Sequence, residues 1–281
     1  MTVAEALRLA AQRLAETSDT ARLDAEVLMA HALGVTRSDL LLRHTRDGVP
    51  DGFAALVERR AGHEPVAYIT ETQEFYGREF RVTPEVLIPR ADSETIVVAA
   101  LEASPARVLD CGVGSGTLLL TVLAERPAAS GIGIDSSPGA LAVAAVNAER
   151  LGLAARAEIR AGNWCEAGWS DRLGIFDLIL ANPPYVEDGA DLALSVRAFE
   201  PASALFAGPA GLDDYRALIP QFSGLLSPNG IAVVEIGASQ ADAVRQIAEE
   251  AGFSAELRKD LGGRARAIIL RLPLGKTPGS P

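Results

Sequence analysis

The sequence predicts an α/β fold: a mostly parallel seven-stranded sheet with helices on both faces, preceded by a small helical bundle. Two observations carry this. Residues 1–74 place apolar side chains at helical spacing, whereas residues 91–273 alternate β-type runs with helical ones. A third is the stretch between them, 75–90, whose aromatic and β-branched residues surround a glycine and a proline as in a hairpin.

In the first segment Leu7, Leu9, Ala10 and Leu14 recur near a period of 3.6, as do Leu23, Val27, Leu28, His31 and Leu33. Leu40–Leu42 and then Phe53, Leu56 and Val57 continue the rhythm, with breaks at Gly34, Gly48 and Gly52. After the hairpin, ARVLDCG, SGIGID, RAEIRAG and FDLILANPP read as strands, with helices TLLLTVLAER and PGALAVAAVNAERLGL between the first three. Then come a helix in LDDYRALIPQFSGLL, a strand in GIAVVEIG and a helix from Ser239 to Ala251. The final strands, AELRKD and RAIILRL, are separated by little more than Gly262-Gly263 and predict an antiparallel edge. The tail, 274–281, is expected to be disordered.

Composition narrows the function. The 281 residues are 48% hydrophobic and 22% charged, which suits a globular protein and excludes a disordered one. A net charge of −11 and a pI near 4.9 argue against a protein held on DNA by phosphate neutralisation. The helical segment offers no basic arm either, having 8 arginines against 12 acidic residues. Cys111 and Cys165 are too few for a disulfide scaffold and read as reduced thiols. His31, His44 and His63 are scattered, so no metal site is expected. The first residues carry charges at helical spacing, and no run is long and apolar enough for a membrane span; a cytoplasmic monomer is the expectation.

The chemistry begins at Asp110-Cys111-Gly112-Val113-Gly114-Ser115-Gly116, where the first strand of the sheet should end and a helix begin. Glycines there let backbone N–H groups approach a ligand at a helix N-terminus, although the same residues also suit a plain tight turn. Thr117 occupies the third-glycine position of a dinucleotide fingerprint, which weakens a nicotinamide reading. Asp135 ends the second strand, where a carboxylate can accept from both hydroxyls of a ribose. Asp110 can accept from a ligand ammonium group. An adenosine that carries a cation and no pyrophosphate fits this set, and S-adenosylmethionine is such a molecule. Asn163 and Trp164 follow the third strand and offer an amide and an indole face to adenine; the indole suits core packing equally.

The fourth strand runs into Asn182-Pro183-Pro184-Tyr185. Two prolines stiffen the loop and remove donors, so acceptors dominate there. The Asn182 side-chain oxygen and the carbonyl that follows it can accept both hydrogens of one planar NH₂ group, with the Tyr185 ring against its plane. Such a site suits an amide or an exocyclic base amine, whose nitrogen it would orient toward a methyl group. Glu187 and Asp188 read as loop solvation and Glu235 as a strand-end hydrogen bond. No general base is assigned, because the attacking amide can lose its proton during or after transfer.

Taken together, ARLDAEVLMAHALG, RRAGHEPVAYI, EFYGREFRVTPEVLIPR, DCGVGSG, GIGID, NPPY and DLGGRAR resemble the HemK-type protein-glutamine methyltransferases over nearly the whole chain. The sequence departs from that pattern at Ala91-Asp92-Ser93-Glu94, where Pro-Glu-Thr-Glu is usual. It departs also at Cys111 and Val113, and at Asn163, where an acid is frequent. The resemblance implies a class I S-adenosylmethionine-dependent methyltransferase fold over 91–273. It makes residues 1–74 a substrate-docking domain and 75–90 a hairpin linker. Asp110, Gly112–Gly116 with Val113 and Ser115, Asp135, Trp164 and Asn182 would bind the cofactor; Asn182, Pro183, Pro184 and Tyr185 would hold a glutamine. The implied substrate is the Gly-Gly-Gln glutamine of class I peptide chain release factors. A ribosomal-protein glutamine shares every motif; a base amine in DNA or RNA, or a partner subunit without turnover, are the remaining readings.

Overall fold

The structure, a computed structural model, describes residues 1–273; the tail expected to be disordered lies outside the described residues. The described chain divides into two compact units, one made of Met1–Thr72 with Leu192–Glu200, the other of Gln73–Asp191 with the chain from Pro201 onward.

The first unit is helical: α1 (Val3–Leu14), α2 (Ala21–Leu33), α3 (Arg37–Asp39) leading into a π-turn at Leu40–His44, α4 (Phe53–Ala61) and α5 (Val66–Thr70). Thr2 and Glu5 form a reciprocal cap on α1, and Gly34 ends α2 in the left-handed conformation. The core gathers Val3, Leu7, Leu14, Leu28, Met29, Leu40, Phe53 and Val57. Leu9 and Leu23, expected inside, lie largely exposed. On α2 the inward face is instead Asp24, Ala25, Leu28 and Met29, because Arg60 meets Asp24 at 2.6 Å in a buried ion pair and Arg22 and Arg37 both pair with the buried Glu26.

In the second unit β1 (Thr72–Phe75) and β2 (Arg78–Arg81) form a hairpin whose turn, Tyr76-Gly77, has positive φ at both residues. Then follow α6 (Glu94–Glu102), which the sequence reading did not single out, β3 (Arg107–Cys111), α7 (Thr117–Glu125), β4 (Ser130–Asp135), α8 (Pro138–Arg150), β5 (Ala157–Ala161) and β6 (Phe176–Ala181). After a short α9 (Leu194–Arg197) the chain continues through α10 (Asp213–Leu218), β7 (Leu226–Glu235), α11 (Ala241–Glu250), β8 (Ser254–Lys259) and β9 (Ala265–Arg271). The expected helix in LDDYRALIPQFSGLL tightens to a 3-10 turn at Ile219–Gly224, where Pro220 has no N–H to give the α-helical ladder.

The sheet runs β5-β4-β3-β6-β7-β9-β8, parallel through β7 and antiparallel at β9, as the Gly262-Gly263 turn predicted. Alternation along the strands fills two cores. Val108, Leu178, Leu180 and Val233 pack with α6, α7 and α8; Leu109, Ile179, Ala232 and Val234 pack with α10 and α11. The two glycines of SGIGID belong to the first of these faces. A Cβ on Gly131 would come within 2.5 Å of Leu119 Cδ1, and one on Gly133 within 2.5 Å of Val113 Cγ2. Gly133→Val should therefore overpack this face and lower stability by about 1–3 kcal/mol in urea unfolding; an unchanged midpoint would mean the Gly112–Gly116 loop withdraws freely.

Candidate active site

Chain order reverses direction between β3 and β6, and the strands there end level: Cys111 pairs with Ile134 on one side and Ala181 on the other. Three connecting segments consequently emerge side by side into the crevice at the strands' carboxyl ends. Gly112 and Val113 both donate their N–H groups to Ile134 O, at 2.9 and 2.8 Å. The loop then turns through Gly112, Gly114 and Gly116 with φ of 81°, 52° and 83°, which a side chain would resist. Gly114 N–H donates to Asp135 Oδ2 and Ser137 N–H to Asp135 Oδ1, each at 2.9 Å. Both carboxylate oxygens are thereby oriented and each retains a lone pair for a further donor.

Asp110 lies beneath the start of α7, where its Oδ2 accepts from Leu119 N–H at 3.2 Å. Its Oδ1 is buried without a hydrogen-bond partner among the described residues. Burial, reinforced by the charge of Asp135, pushes the Asp110 pKa up to about 8 against the pull of the Leu119 bond. A buried acceptor left unmatched by protein is costly, and a ligand cation is the group that would relieve it.

Trp164 faces the glycine loop: a Cβ on Gly112 would stand 3.3 Å from its ring. Its indole N–H donates to Asp214 Oδ1 at 2.9 Å, and its carbonyl accepts from Gln221 at 3.0 Å. Desolvation raises the Asp214 pKa, with the Trp164 bond opposing. Asn163 turns onto its own loop, accepting from Cys165 N–H at 3.0 Å.

Beyond β6, Asn182 and Tyr185 are half-buried and Pro183 and Pro184 buried. Tyr185 is fastened at three points. Its N–H donates to Leu205 O at 3.2 Å, its carbonyl accepts from Gln240 Nε2 at 3.0 Å, and its hydroxyl donates to Glu235 Oε1 at 3.3 Å. Burial and the neighbouring Glu235 carboxylate raise the Tyr185 pKa, so the hydroxyl stays protonated. The Glu235 pKa is itself raised by burial, while Ser93, Arg266 and Tyr185 draw it down.

One cleft collects Asp110, Gly112, Val113, Gly114, Ser115, Asp135, Trp164, Asn182 and Pro184. Gly116, Pro183 and Tyr185 are outside its lining: Gly116 faces Leu120 and Ala144, and Tyr185 is drawn toward Glu235. Sequence reasoning missed several supporting groups. Asn147 on α8 joins both backbone groups of Arg81 to the Ser115 carbonyl at 2.8–2.9 Å, and Gln240 joins Tyr185 O to Gly211 O. A buried polar side chain on a helix carries no periodic signal. Glu235 did carry one, as a charge inside the apolar run VVEIG. No group of His, Cys, Asp or Glu that could hold a metal is present among the described residues.

Comparison with known proteins gives the family of the chain. The family model for the PrmC N-terminal domain matches residues 5–70, and one for a methyltransferase domain matches 102–261. A release factor glutamine methyltransferase of Cereibacter sphaeroides is 45% identical, covering 97% of this chain and 99% of the relative. The chain belongs to the release factor glutamine methyltransferase family. A family member from Caulobacter vibrioides is 41% identical with 96% of each chain covered, and one from Rhodospirillum rubrum is 41% identical over 89% of this chain and 78% of its own. A methyltransferase from Pyrococcus furiosus shares the fold at 15% identity with a TM-score of 0.52, covering 69% of this chain and 89% of that one. The fold is that of the class I methyltransferases, as expected from the sequence.

The raised Asp110 pKa gives a signed prediction. The folded protein keeps a proton there that the unfolded chain releases near 3.8, so this group's stabilisation of the ligand-free protein is lost as pH rises toward about 8. In thermal melts, the advantage of wild type over Asp110→Asn should shrink across that interval. A difference independent of pH would show that Asp110 does not titrate there.

Proposed function

We propose that this protein transfers a methyl group from S-adenosylmethionine to the side-chain amide nitrogen of the Gly-Gly-Gln glutamine in class I peptide chain release factors, in the cytoplasm where translation occurs. One observation carries the reading: Asn182, Asp135 and Asp110, whose Oδ1 is buried without a partner among the described residues, line a single cleft. Family membership supports it, and so does the donor set, which fits the cofactor. Asp110 offers an acceptor to an ammonium group and Asp135 offers two to a ribose. Trp164, pinned by Asp214, offers a flat apolar face, while Gly112 to Ser115 with Val113 form the floor. When bound, S-adenosylmethionine supplies a methyl group made electrophilic by its sulfonium.

The chain's own residues hold the acceptor. An amide nitrogen is a weak nucleophile because its lone pair is delocalised into the carbonyl. Asn182 Oδ1 and the Pro183 carbonyl accept its two hydrogens, which fixes the nitrogen's direction and stabilises the positive charge that grows as it is alkylated. Pro183 and Pro184 keep that pair of acceptors rigid, and Tyr185 backs the loop with its ring. The proton leaves the alkylated nitrogen to water, so no strong base is required. The helical unit docks the protein substrate; its 8 arginines against 12 acids over residues 1–75 make a nucleic-acid clamp a poor alternative.

Radiolabelled cofactor and a release factor should give label that is absent when the Gly-Gly-Gln glutamine is replaced by alanine; equal label on both would overturn the assignment. Asn182→Ala should lower kcat roughly 10²- to 10³-fold, the cost of losing one positioned polar contact to developing charge, as read in the same assay.

A further inference from the structure

Glu235 is the last residue of β7, one position beyond the pairing of Val234 with Ala181, and so it flanks the start of the Asn182–Tyr185 loop. Its side chain is 1% exposed. Val233, Val234 and Ile236 around it are all buried and apolar, so a residue that only filled this space would be apolar too. Glu235 instead spends both carboxylate oxygens on hydroxyl groups from two different segments. Oε1 accepts from Tyr185 and Oε2 accepts from Ser93 at 2.6 Å, and Ser93 itself lines the cleft. The residue next to Ser93, Asp92, is held by Arg266 at 2.8 Å, and Arg266 adjoins Ala267, the partner of Glu235 across β7 and β9. Glu235 therefore ties the wall that carries Ser93 to the loop that carries Asn182.

Tyr185 shows what the tie is for. Leu205 and Gln240 fasten its backbone, and its hydroxyl, at the far end of the ring, donates to Glu235. We propose that Glu235 is a positioning residue for methyl transfer, acting through the Tyr185 hydroxyl to hold the ring, and with it the acceptor loop, in the orientation that presents the substrate amide. The inference rests on the function proposed above. Glu235 itself does not line the cleft, so the proposal predicts an effect on the rate of transfer rather than on cofactor affinity.

The test uses the full-length protein and the variants Glu235→Ala, Glu235→Gln, Tyr185→Phe and the double variant Glu235→Ala/Tyr185→Phe. Glu235→Ala should lower kcat roughly 10- to 100-fold, the cost of a small misplacement of an attacking group. Cofactor affinity by calorimetry should be unchanged. Glu235→Gln, which can still bond both hydroxyls, should recover most of the rate. The double variant should be no slower than the slower single variant, since both remove one interaction. Multiplying losses, a wild-type rate in Glu235→Ala, or a parallel fall in cofactor affinity that Gln does not rescue would each overturn the proposal. A ¹³C-tyrosine spectrum reads Tyr185 without substrate: its ring signal should shift in Glu235→Ala and stay in place in Glu235→Gln. An unshifted signal in Glu235→Ala overturns the positioning role. If wild type labels no release factor while the spectra behave as stated, the substrate assignment fails and the Glu235–Tyr185 tie stands.

Discussion

The register that sets Cys111 against Ile134 and Ala181 decides where three loops begin, and the site follows from that. Strands joined by parallel hydrogen bonds cannot slide singly without turning every side chain to the opposite core, so their ends stay level. Short side chains suffice as a result. Asp110, Asp135 and Asn182 reach one cleft because each stands within one residue of a strand end. Gly131 and Gly133 contribute from below, since only a strand without side chains there lets α7 and the glycine loop sit so close.

Two buried carboxyl groups on this frame show how burial can serve different ends. Desolvation raises both pKa values. Glu235 has both oxygens matched by protein hydroxyls and joins parts of the fold; Asp110 has one oxygen matched by a helix N-terminus and one left over. A matched carboxylate fixes geometry, whereas an unmatched one stores unfavourable energy until a partner arrives. The net charge of −11 says nothing about this distinction, which depends on which lone pairs the fold has used.

The β-type runs and their order were legible because hydrophobic alternation and turn residues are local signals, and so were the strand-end positions of Asp110, Asp135 and Asn182. Two kinds of feature were not. Helix faces depended on ion pairs: Arg60, distant in sequence, draws Asp24 inward and leaves Leu23 outside. Side-chain ties such as Asn147 to Arg81 and Ser115, or Gln240 to Tyr185 and Gly211, join residues whose separation along the chain hides them. Glu235 stood in plain view within VVEIG, yet its partners Ser93 and Tyr185 lie 142 and 50 positions away, so its role could not be read from its neighbours.

The membership of Leu192–Glu200 in the helical unit has a consequence for the order of synthesis. The chain leaves that unit at Thr72, builds β3 through β6 and the Asn182–Tyr185 loop, and only then supplies the segment that completes it. A polypeptide emerging from the ribosome from its N-terminus therefore presents residues 1–72, which hold the whole core of the helical unit, long before the segment 192–200 that groups with them.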